Sequence, residues 1–262
     1  MDAIKDKPER TLRLVFLLAD TPIPEVVERY GDYGKLFSRL LQKAIESGPN
    51  KNLTLKIQSF EVQKMEFPDR NELLETDGII ISGSSASAYD DIPWINRLTD
   101  FTKFLIENHP NVKIIGVCFG HQIIAKAMGG KVIKNPIGWE VAVTEILLNE
   151  DGRKFFNTDK KFLDHVCLVP PDFTNLGSTE ISSIQGMVKG NHVFTIQGHP
   201  EFVGGVVKEL VKHRQKKGIF DPEFSQMCLK AADQDDDSLL IGQKFIEFLL
   251  VNIGFFESKC VS

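Results

Sequence analysis

Long apolar segments are missing from this 262-residue sequence, and no run approaches the roughly 18 residues that a membrane-spanning helix needs. The longest run near the N-terminus covers residues 12–19, and Arg13 interrupts it. Charged residues precede it, as in a signal peptide, but Asp20-Thr21-Pro22 stands where a cleavage site of small residues would be expected. We therefore interpret this run as a first buried β-strand, and we expect no association with a membrane.

Cysteine is scarce, and no CxxC pair is present. The four cysteines are widely spaced, at Cys118, Cys167, Cys228 and Cys260. This spacing argues against a disulfide scaffold and against a zinc site. A Walker A phosphate loop is absent as well. We expect a cytoplasmic protein with reduced thiols, with no metal and no other cofactor.

Neither sign of charge dominates, since 31 Lys and Arg stand against 36 Asp and Glu and the formal net charge is −5. Nucleic acids and anionic membranes are held mainly through their negative charges, so a mildly acidic chain is a poor general binder of either. An apolar fraction of 42% with 26% charged residues is typical of a soluble globular protein. The length fits one α/β domain.

Short apolar runs alternate with longer helical patterns, which is typical of an α/β protein with a parallel sheet. The predicted strands are residues 12–18, 53–59, 78–82, 113–117 and 193–197, with weaker ones at 132–133, 141–147 and 187–189. The predicted helices are residues 33–46, 94–108, 121–128, 203–214, 223–231 and 239–250. Between residues 129 and 190 short strands and loops replace the helical pattern, which we interpret as a β-rich insertion on the sheet.

A cysteine framed by two glycines carries the strongest chemical signal. The segment Gly116-Val117-Cys118-Phe119-Gly120-His121-Gln122 follows a predicted strand and opens a predicted helix. A nucleophile in such a turn is exposed at the carboxyl end of the sheet, where open α/β sheets bind ligands. The glycines let the backbone bend, and the helix N-terminus favours the thiolate. A free cysteine is more often buried and inert, but this context favours a nucleophile.

A histidine with a nearby carboxylate follows the last predicted strand, in Ile196-Gln197-Gly198-His199-Pro200-Glu201. Histidine is the natural base for a cysteine nucleophile. Residues i and i+2 of an extended backbone point the same way, so Glu201 can reach the far ring nitrogen of His199. Pro200 biases His199 toward that extended state. The alternative is a loop histidine, with Glu201 capping a helix that begins near Phe202.

A loop of small residues follows the predicted strand at 78–82. Its sequence, Ser82-Gly83-Ser84-Ser85-Ala86-Ser87-Ala88, leaves the backbone N–H groups unhindered. Such a loop suits a site for an oxyanion or a phosphate. Taken alone the pattern is weak, because loops of serine and glycine are commonest simply as turns.

Together, the strand–GxCxGHQ–helix unit, the GHPE segment about 80 residues later and the preceding strand–SGS unit resemble the class I glutamine amidotransferase family. The resemblance covers about residues 12–215, so it implies a single domain over 1–262 with a C-terminal helical extension at 216–262. It also implies a doubly wound, mostly parallel sheet of flavodoxin-like character with a small β-rich insertion.

The resemblance assigns a catalytic triad. Cys118 matches the family's nucleophile, His199 its general base and acid, and Glu201 the residue that orients His199. The implied reaction is attack of the thiolate on the γ-carbonyl of a glutamyl amide, release of the amine, and hydrolysis of the γ-glutamyl thioester by water. No metal is required.

The remaining roles also follow from the resemblance. The two N–H groups of the oxyanion hole fall on Phe119 and on the loop at Gly83 and Ser84, and Gln122 matches a family glutamine near the bound substrate. Whether this hole is preformed stays open, because one peptide flip in the loop would leave it incomplete.

Two segments resemble a stand-alone branch that includes plant γ-glutamyl peptidases and fungal amidotransferase-like proteins. Residues 136–140, with Trp139 and Glu140, are similar to its G-W-D/E loop, and residues 92–95 are similar as well. Both residues are candidate substrate contacts, although Trp139 could equally cover apolar surface. Phe162 stands where that branch commonly carries a histidine, which leaves substrate specificity open.

Three functions remain in view. The first is a γ-glutamyl hydrolase or peptidase acting on small compounds such as glutamine or glutathione-like peptides, since no acceptor domain fits in the 61 residues after Glu201 (262 − 201). The second is a glutaminase subunit that supplies ammonia to a separate synthase, which the sequence does not identify. The third is a non-catalytic sensor in which Cys118 is a redox switch; the presence of His199 and Glu201 argues against it.

Overall fold

The computed structural model describes residues 10–135, 140, 141, 143–157 and 168–251. The strands are β1 (Arg10–Leu18), β2 (Leu53–Glu61), β3 (Gly78–Ile81), β4 (Lys113–Val117), β5 (Leu147–Leu148), β6 (Thr174–Ser178), β7 (Gly186–Lys189) and β8 (Val193–Ile196). The helices are α1 (Pro24–Tyr30), α2 (Tyr33–Ser47), α3 (Arg70–Leu74), α4 (Pro93–Asn108), α5 (Phe119–Ala127), α6 (Glu150–Phe156), α7 (Gly204–Lys216), α8 (Pro222–Ala231) and α9 (Ser238–Leu250). A short 3₁₀ helix covers Val62–Lys64.

The strands form one sheet in the order β2-β1-β3-β4-β8-β7-β6-β5. From β2 to β8 neighbouring strands are parallel, and from β8 to β5 they are antiparallel. The parallel part has the strand order of doubly wound, flavodoxin-like sheets, in which ligands bind beyond the carboxyl ends of the strands. The predicted α/β fold with a mostly parallel sheet and a small β-rich insertion is therefore confirmed.

Helices cover both faces of the parallel strands, and for that reason β3 and β4 are buried along their whole length. Successive side chains of a strand point to opposite faces. One layer packs beneath α2 and α9 and includes Phe16, Ile80, Ile115 and Phe194. The other packs beneath α4 and α5 and includes Val15, Ile79, Ile114 and Val193. Helix α9 lies in the predicted C-terminal extension and packs against α2 and β4.

The insertion adds β5, β6 and β7 to one end of the sheet. For the strand predicted at 141–147, the described residues 141 and 143–146 are not in a strand, and β5 covers only Leu147–Leu148, which pairs with β6. Residues 132–133 form no strand, although the adjacent Lys131 makes an isolated bridge to Leu168. Strand β6 was not predicted, since its sequence TNLGS is rich in residues that favour turns.

Helix boundaries differ from the sequence prediction mainly at the carboxyl edge of the sheet. Helix α5 begins at Phe119 instead of His121, and α7 begins at Gly204. Three short helices, α1, α3 and α6, were not predicted. None of the helices in the described ranges is long and apolar enough to cross a membrane.

Candidate active site

Cys118 lies between the last residue of β4 and the first residue of α5. Its backbone has φ 53° and ψ −105°, a conformation that non-glycine residues rarely adopt. The surrounding hydrogen bonds hold it there: Cys118 N donates to Ile196 O (2.9 Å), and Gln122 N donates to Cys118 O (3.1 Å). Strain of this kind persists only where the neighbouring structure enforces it, and it clusters at functional sites.

The two glycines that frame this turn are required for close packing. A Cβ at Gly116 would lie 2.7 Å from the carbonyl oxygen of Gly120, and a Cβ at Gly120 would overlap the carbonyl oxygen of Ile81. Neither glycine has a positive φ, so the strained conformation falls on Cys118 itself. The half-buried thiol is thereby held over the N-terminus of α5, whose dipole favours a negative charge.

His199 and Glu201 form the hydrogen bond that their spacing predicts. Nδ1 of His199 lies 2.7 Å from Oε1 of Glu201, whose side chain is fully buried, while the His199 side chain is 24% exposed. Within the described residues no group bonds to Oε2 of Glu201. Burial lowers the pKa of His199, but the charges of Cys118 and Glu201 and hydrogen bonds to both outweigh it, so the pKa is raised well above its ordinary value. A protonated imidazole is therefore favoured beside the sulfur.

The ring of His199 is restricted by two residues, Phe202 and Gly83, that were not predicted to contact it. On one side it stacks on Phe202, with 4.2 Å between ring centroids and 3° between planes. At the Cε1 edge of the ring lies Gly83, where an added Cβ would overlap Cε1 of His199. Tyr33 stacks in turn on Phe202. Burial and the nearby charges of Glu201, Asp20 and Cys118 raise the pKa of Tyr33, so its phenol stays neutral.

Hydrogen bonds fix the first two peptide groups of the loop after β3. The carbonyl oxygen of Ser82 accepts a hydrogen bond from Gly120 N (3.2 Å), and the hydroxyl of Ser82 donates to the carbonyl oxygen of Gly83 (3.0 Å). The Ser82 hydroxyl also accepts from Ala19 N (2.9 Å). Because a peptide N–H points opposite to its carbonyl, these bonds fix the direction of the Gly83 and Ser84 N–H groups.

Asp20 anchors the next part of the same loop. Its Oδ2 accepts from Ser85 N (2.7 Å) and Ser85 Oγ (2.6 Å), and Ser84 Oγ lies 3.5 Å away. Across the described part of the chain, no group accepts a hydrogen bond from the backbone N–H of Gly83 or of Phe119. These N–H groups, at two of the three positions predicted for the oxyanion hole (Gly83, Ser84 and Phe119), are thus available to a ligand.

The side-chain amide of Gln197 contacts the sulfur of Cys118, and the amide of Gln122 contacts Gln197. Nε2 of Gln122 donates to Oε1 of Gln197 (2.9 Å), and Nε2 of Gln197 donates to Sγ of Cys118 (3.3 Å). Gln197 was not among the predicted site residues. The signal was present, since Gln197 and His199 are two residues apart and therefore point the same way from an extended backbone.

Of the remaining predicted residues, Glu140 lies within the described ranges. Oε2 of Glu140 accepts a hydrogen bond from Nε2 of Gln185 (3.4 Å). The backbone oxygen of Gln185 accepts from Gln197 N (3.1 Å), which links Glu140 to the carboxyl end of β8, the strand that pairs with β4 next to Cys118. Trp139 and Phe162 lie outside the described residues.

Comparison with known proteins identifies the class to which this fold and site belong. A family model described as glutamine amidotransferase class-I matches residues 32–215, and the chain belongs to this family. A glutamine amidotransferase-like protein of Schizosaccharomyces pombe is 38% identical over 245 residues, which cover 90% of this chain and 98% of that protein. Gamma-glutamyl peptidase 3 of Arabidopsis thaliana is 29% identical over 254 residues, which cover 92% of this chain and 98% of that protein.

The same fold occurs in a glutamine amidotransferase of Thermotoga maritima, whose crystal structure matches with a TM-score of 0.67 at 19% identity. That match covers 92% of this chain and 99% of the Thermotoga chain. The resemblance predicted from the GxCxGHQ and GHPE segments is therefore confirmed.

Proposed function

We propose that this protein is a stand-alone, cysteine-dependent hydrolase of γ-glutamyl amide bonds, acting on small γ-glutamyl compounds. The observation that carries the proposal is the 2.7 Å contact between His199 and Glu201 beside a strained Cys118. A nucleophile, a base and a group that orients the base are the parts that acyl transfer requires. The similarity to a γ-glutamyl peptidase supports the same bond type.

In the first half of the reaction, the Cys118 thiolate attacks the γ-carbonyl carbon and the carbonyl electrons move to its oxygen. The N–H groups of Gly83 and Phe119 stabilise the oxyanion. Because Nδ1 of His199 is engaged by Glu201, Nε2 is the nitrogen that serves the reaction. It donates its proton to the leaving nitrogen as the C–N bond breaks, which leaves a γ-glutamyl thioester and a free amine.

In the second half, the now neutral His199 takes a proton from water, and the hydroxide attacks the thioester carbonyl. The same two N–H groups hold the second oxyanion. Its collapse breaks the C–S bond, releases glutamate and restores the thiolate beside a protonated His199. The raised pKa of His199 supports this resting pair.

Three residues are the candidates for substrate recognition: Glu140 and Trp139 in the insertion, and Gln122 in α5. The Glu140 carboxylate is the candidate acceptor for the α-ammonium group of the γ-glutamyl moiety, while Trp139 and Gln122 are the further candidate contacts. The Glu140→Gln variant is expected to raise KM for a γ-glutamyl anilide, without raising it for the glutaryl anilide that lacks the ammonium group.

We also place the protein in the cytoplasm, where a reducing environment keeps Cys118 as a thiol.

The proposal is tested by glutamate release from glutamine and from glutathione with purified protein. The Cys118→Ala variant is expected to lose activity by on the order of a thousandfold or more. The Cys228→Ala variant is the matched control, since Cys228 is buried in a separate apolar cluster with Val211 and Phe220. Preferential release from glutathione supports a self-sufficient peptidase.

Two other outcomes would contradict the proposal. Weak release from glutamine alone would instead indicate a glutaminase that depends on a synthase partner. No turnover of either substrate, together with ready alkylation of Cys118 at neutral pH, would indicate the non-catalytic sensor.

A further inference from the structure

The side chain of Gln197 contacts the sulfur of Cys118 directly. Gln197 follows β8 and is 6% exposed. Its Nε2 lies 3.3 Å from Sγ, within the usual range for a hydrogen bond to sulfur. A buried glutamine at the reacting atom therefore needs an explanation beyond packing.

Gln122 determines which end of the Gln197 amide faces the sulfur. Nε2 of Gln122 donates to Oε1 of Gln197 at 2.9 Å, so Nε2 of Gln197 is turned toward Sγ. An amide N–H at this place stabilises a sulfur that carries negative charge more than a neutral one, because hydrogen bonds to ionised acceptors are the stronger kind. Half-buried Gln122 thus supports Gln197 in a donor orientation.

We propose that Gln197 is a catalytic residue that stabilises the Cys118 thiolate through its Nε2–H, with its main effect on the step that breaks the thioester. The inference rests on the proposed γ-glutamyl hydrolase function. In that step the electron pair of the C–S bond moves to sulfur, the acyl carbon keeps the oxygen delivered by water, and His199 holds the proton that water lost.

The two halves of the reaction respond to this hydrogen bond in opposite ways. During acylation the sulfur loses charge as it attacks, so the bond weakens toward the transition state. During deacylation the sulfur begins neutral in the thioester and gains charge as it leaves, so the bond strengthens. Only interactions that are stronger in the transition state accelerate a step, which assigns the acceleration by Gln197 to deacylation.

The first test measures the rate of Cys118 alkylation by iodoacetamide against pH, in the absence of substrate. The Gln197→Leu variant is expected to move the midpoint upward by about one pH unit, which is the tenfold change expected for losing a hydrogen bond to a charged group. The Gln197→Glu variant retains the shape but places a carboxylate beside the sulfur, so its midpoint is expected to rise at least as far.

A matched control is Gln58→Leu, since Gln58 is a strand residue whose amide bonds Glu72. Its midpoint is expected to stay unchanged. The Gln122→Leu variant removes the partner that turns the Gln197 amide, and a smaller upward shift is expected; its candidate role as a substrate contact does not enter, because no substrate is present. It serves as the second variant if a substitution at Gln197 prevents folding, as judged by circular dichroism.

The second test follows amine release from a γ-glutamyl p-nitroanilide. Slowed deacylation in Gln197→Leu is expected to produce a burst close to one equivalent of p-nitroaniline, followed by turnover about tenfold slower, with KM lowered along with kcat. The inference would be overturned if the alkylation midpoints of Gln197→Leu and Gln197→Glu equalled that of the wild type. It would also be overturned if Gln197→Leu lowered kcat without a burst and without a change in KM. A wild-type protein that hydrolyses no γ-glutamyl amide would refute the proposed function, and the alkylation test would still measure the hydrogen bond.

Discussion

The imidazole of His199 lies flat against the ring of Phe202, with centroids 4.2 Å apart and planes within 3° of each other. An aromatic face stabilises a cation above it and restricts the ring to one plane. Phe202 is therefore a positioning residue for the histidine that moves protons in the proposed reaction.

Replacing Phe202 with leucine removes this surface while retaining apolar volume. We expect kcat to fall about threefold to tenfold, since a ring pair of this kind contributes about 0.5–1.5 kcal/mol. The Phe202→Tyr variant is expected to restore kcat because it restores the ring. Phe104→Leu is the control, as Phe104 stacks on Phe101 in α4 and not on His199. An equal loss in Phe202→Tyr would show that the ring itself is not the cause.

Gly83 limits His199 at the Cε1 edge of its ring. An added Cβ overlaps Cε1 of the imidazole, so Gly83→Ala is expected to displace the ring and to lower kcat by on the order of 100-fold, as small misplacements at a reacting centre do. The control is Gly190→Ala. A Cβ there meets nothing within 4 Å, but φ is +53°, so stability falls by about 1 kcal/mol and activity stays. Activity of Gly83→Ala near the wild-type level would show that Gly83 does not restrict the position of the imidazole.

The raised pKa of His199 predicts how the rate depends on pH. The proton donor is lost as pH rises through this pKa, so the hydrolysis rate falls on the alkaline side. In Glu201→Gln one of the charges that raise the pKa is absent, and the decline is expected to move to lower pH. Glu209→Gln, which removes ion pairs with Arg29 and Lys212 but no contact with His199, is expected to leave the profile unchanged. Profiles that coincide for Glu201→Gln and wild type would exclude Glu201 as the cause.

The lowered pKa of Lys113 predicts that the free energy of unfolding depends on pH. Burial lowers its pKa from 10.5 to about 8, although its Nζ donates to the carbonyl oxygen of Asn191 and lies over the ring of Phe248. Between these two pH values the unfolded chain binds a proton that the folded chain does not, so stability rises with pH.

The Lys113→Met variant lacks this titration. From pH 8 to 9.5 the wild type is therefore expected to gain about 2 kcal/mol of unfolding free energy relative to the variant, measured with urea. The exposed Lys43 provides the control substitution, Lys43→Met, for which the difference from wild type stays constant. A constant difference for Lys113→Met would mean that Lys113 titrates at its ordinary pH.

The parallel strands were predictable because each is a short, continuous apolar run. The β3 sequence GIII and the β4 sequence KIIGV are examples, and for β4 the predicted and observed bounds agree. Helix α3 was missed although Asp69 and Glu72 form a capping box that signals a helix start. Strand β6 carries no such signal. Its position depends on pairing with β7 and on hydrogen bonds such as Asn175 Nδ2 to Ser183 O, which a local pattern does not contain.

The site shows the same division between local and distant relationships. The contact of Glu201 with His199 follows from a spacing of two residues, and the same rule applied backward from His199 reaches Gln197. The contact of Gly83 with His199 joins segments more than a hundred residues apart. Such packing depends on how the strands assemble, so the sequence indicated Gly83 only as an oxyanion donor and not as a wall for the imidazole.

The backbone conformation of Cys118 lowers the stability of the fold at the residue whose thiol the proposed activity requires. Its φ of 53° is a conformation that glycine adopts without penalty, whereas any side chain is strained there. A Cys118→Gly variant is thus expected to unfold at a higher temperature than Cys118→Ala, although both lack the thiol. Selection for thermal stability alone would replace this residue with glycine, and only selection for a reactive sulfur retains the cysteine.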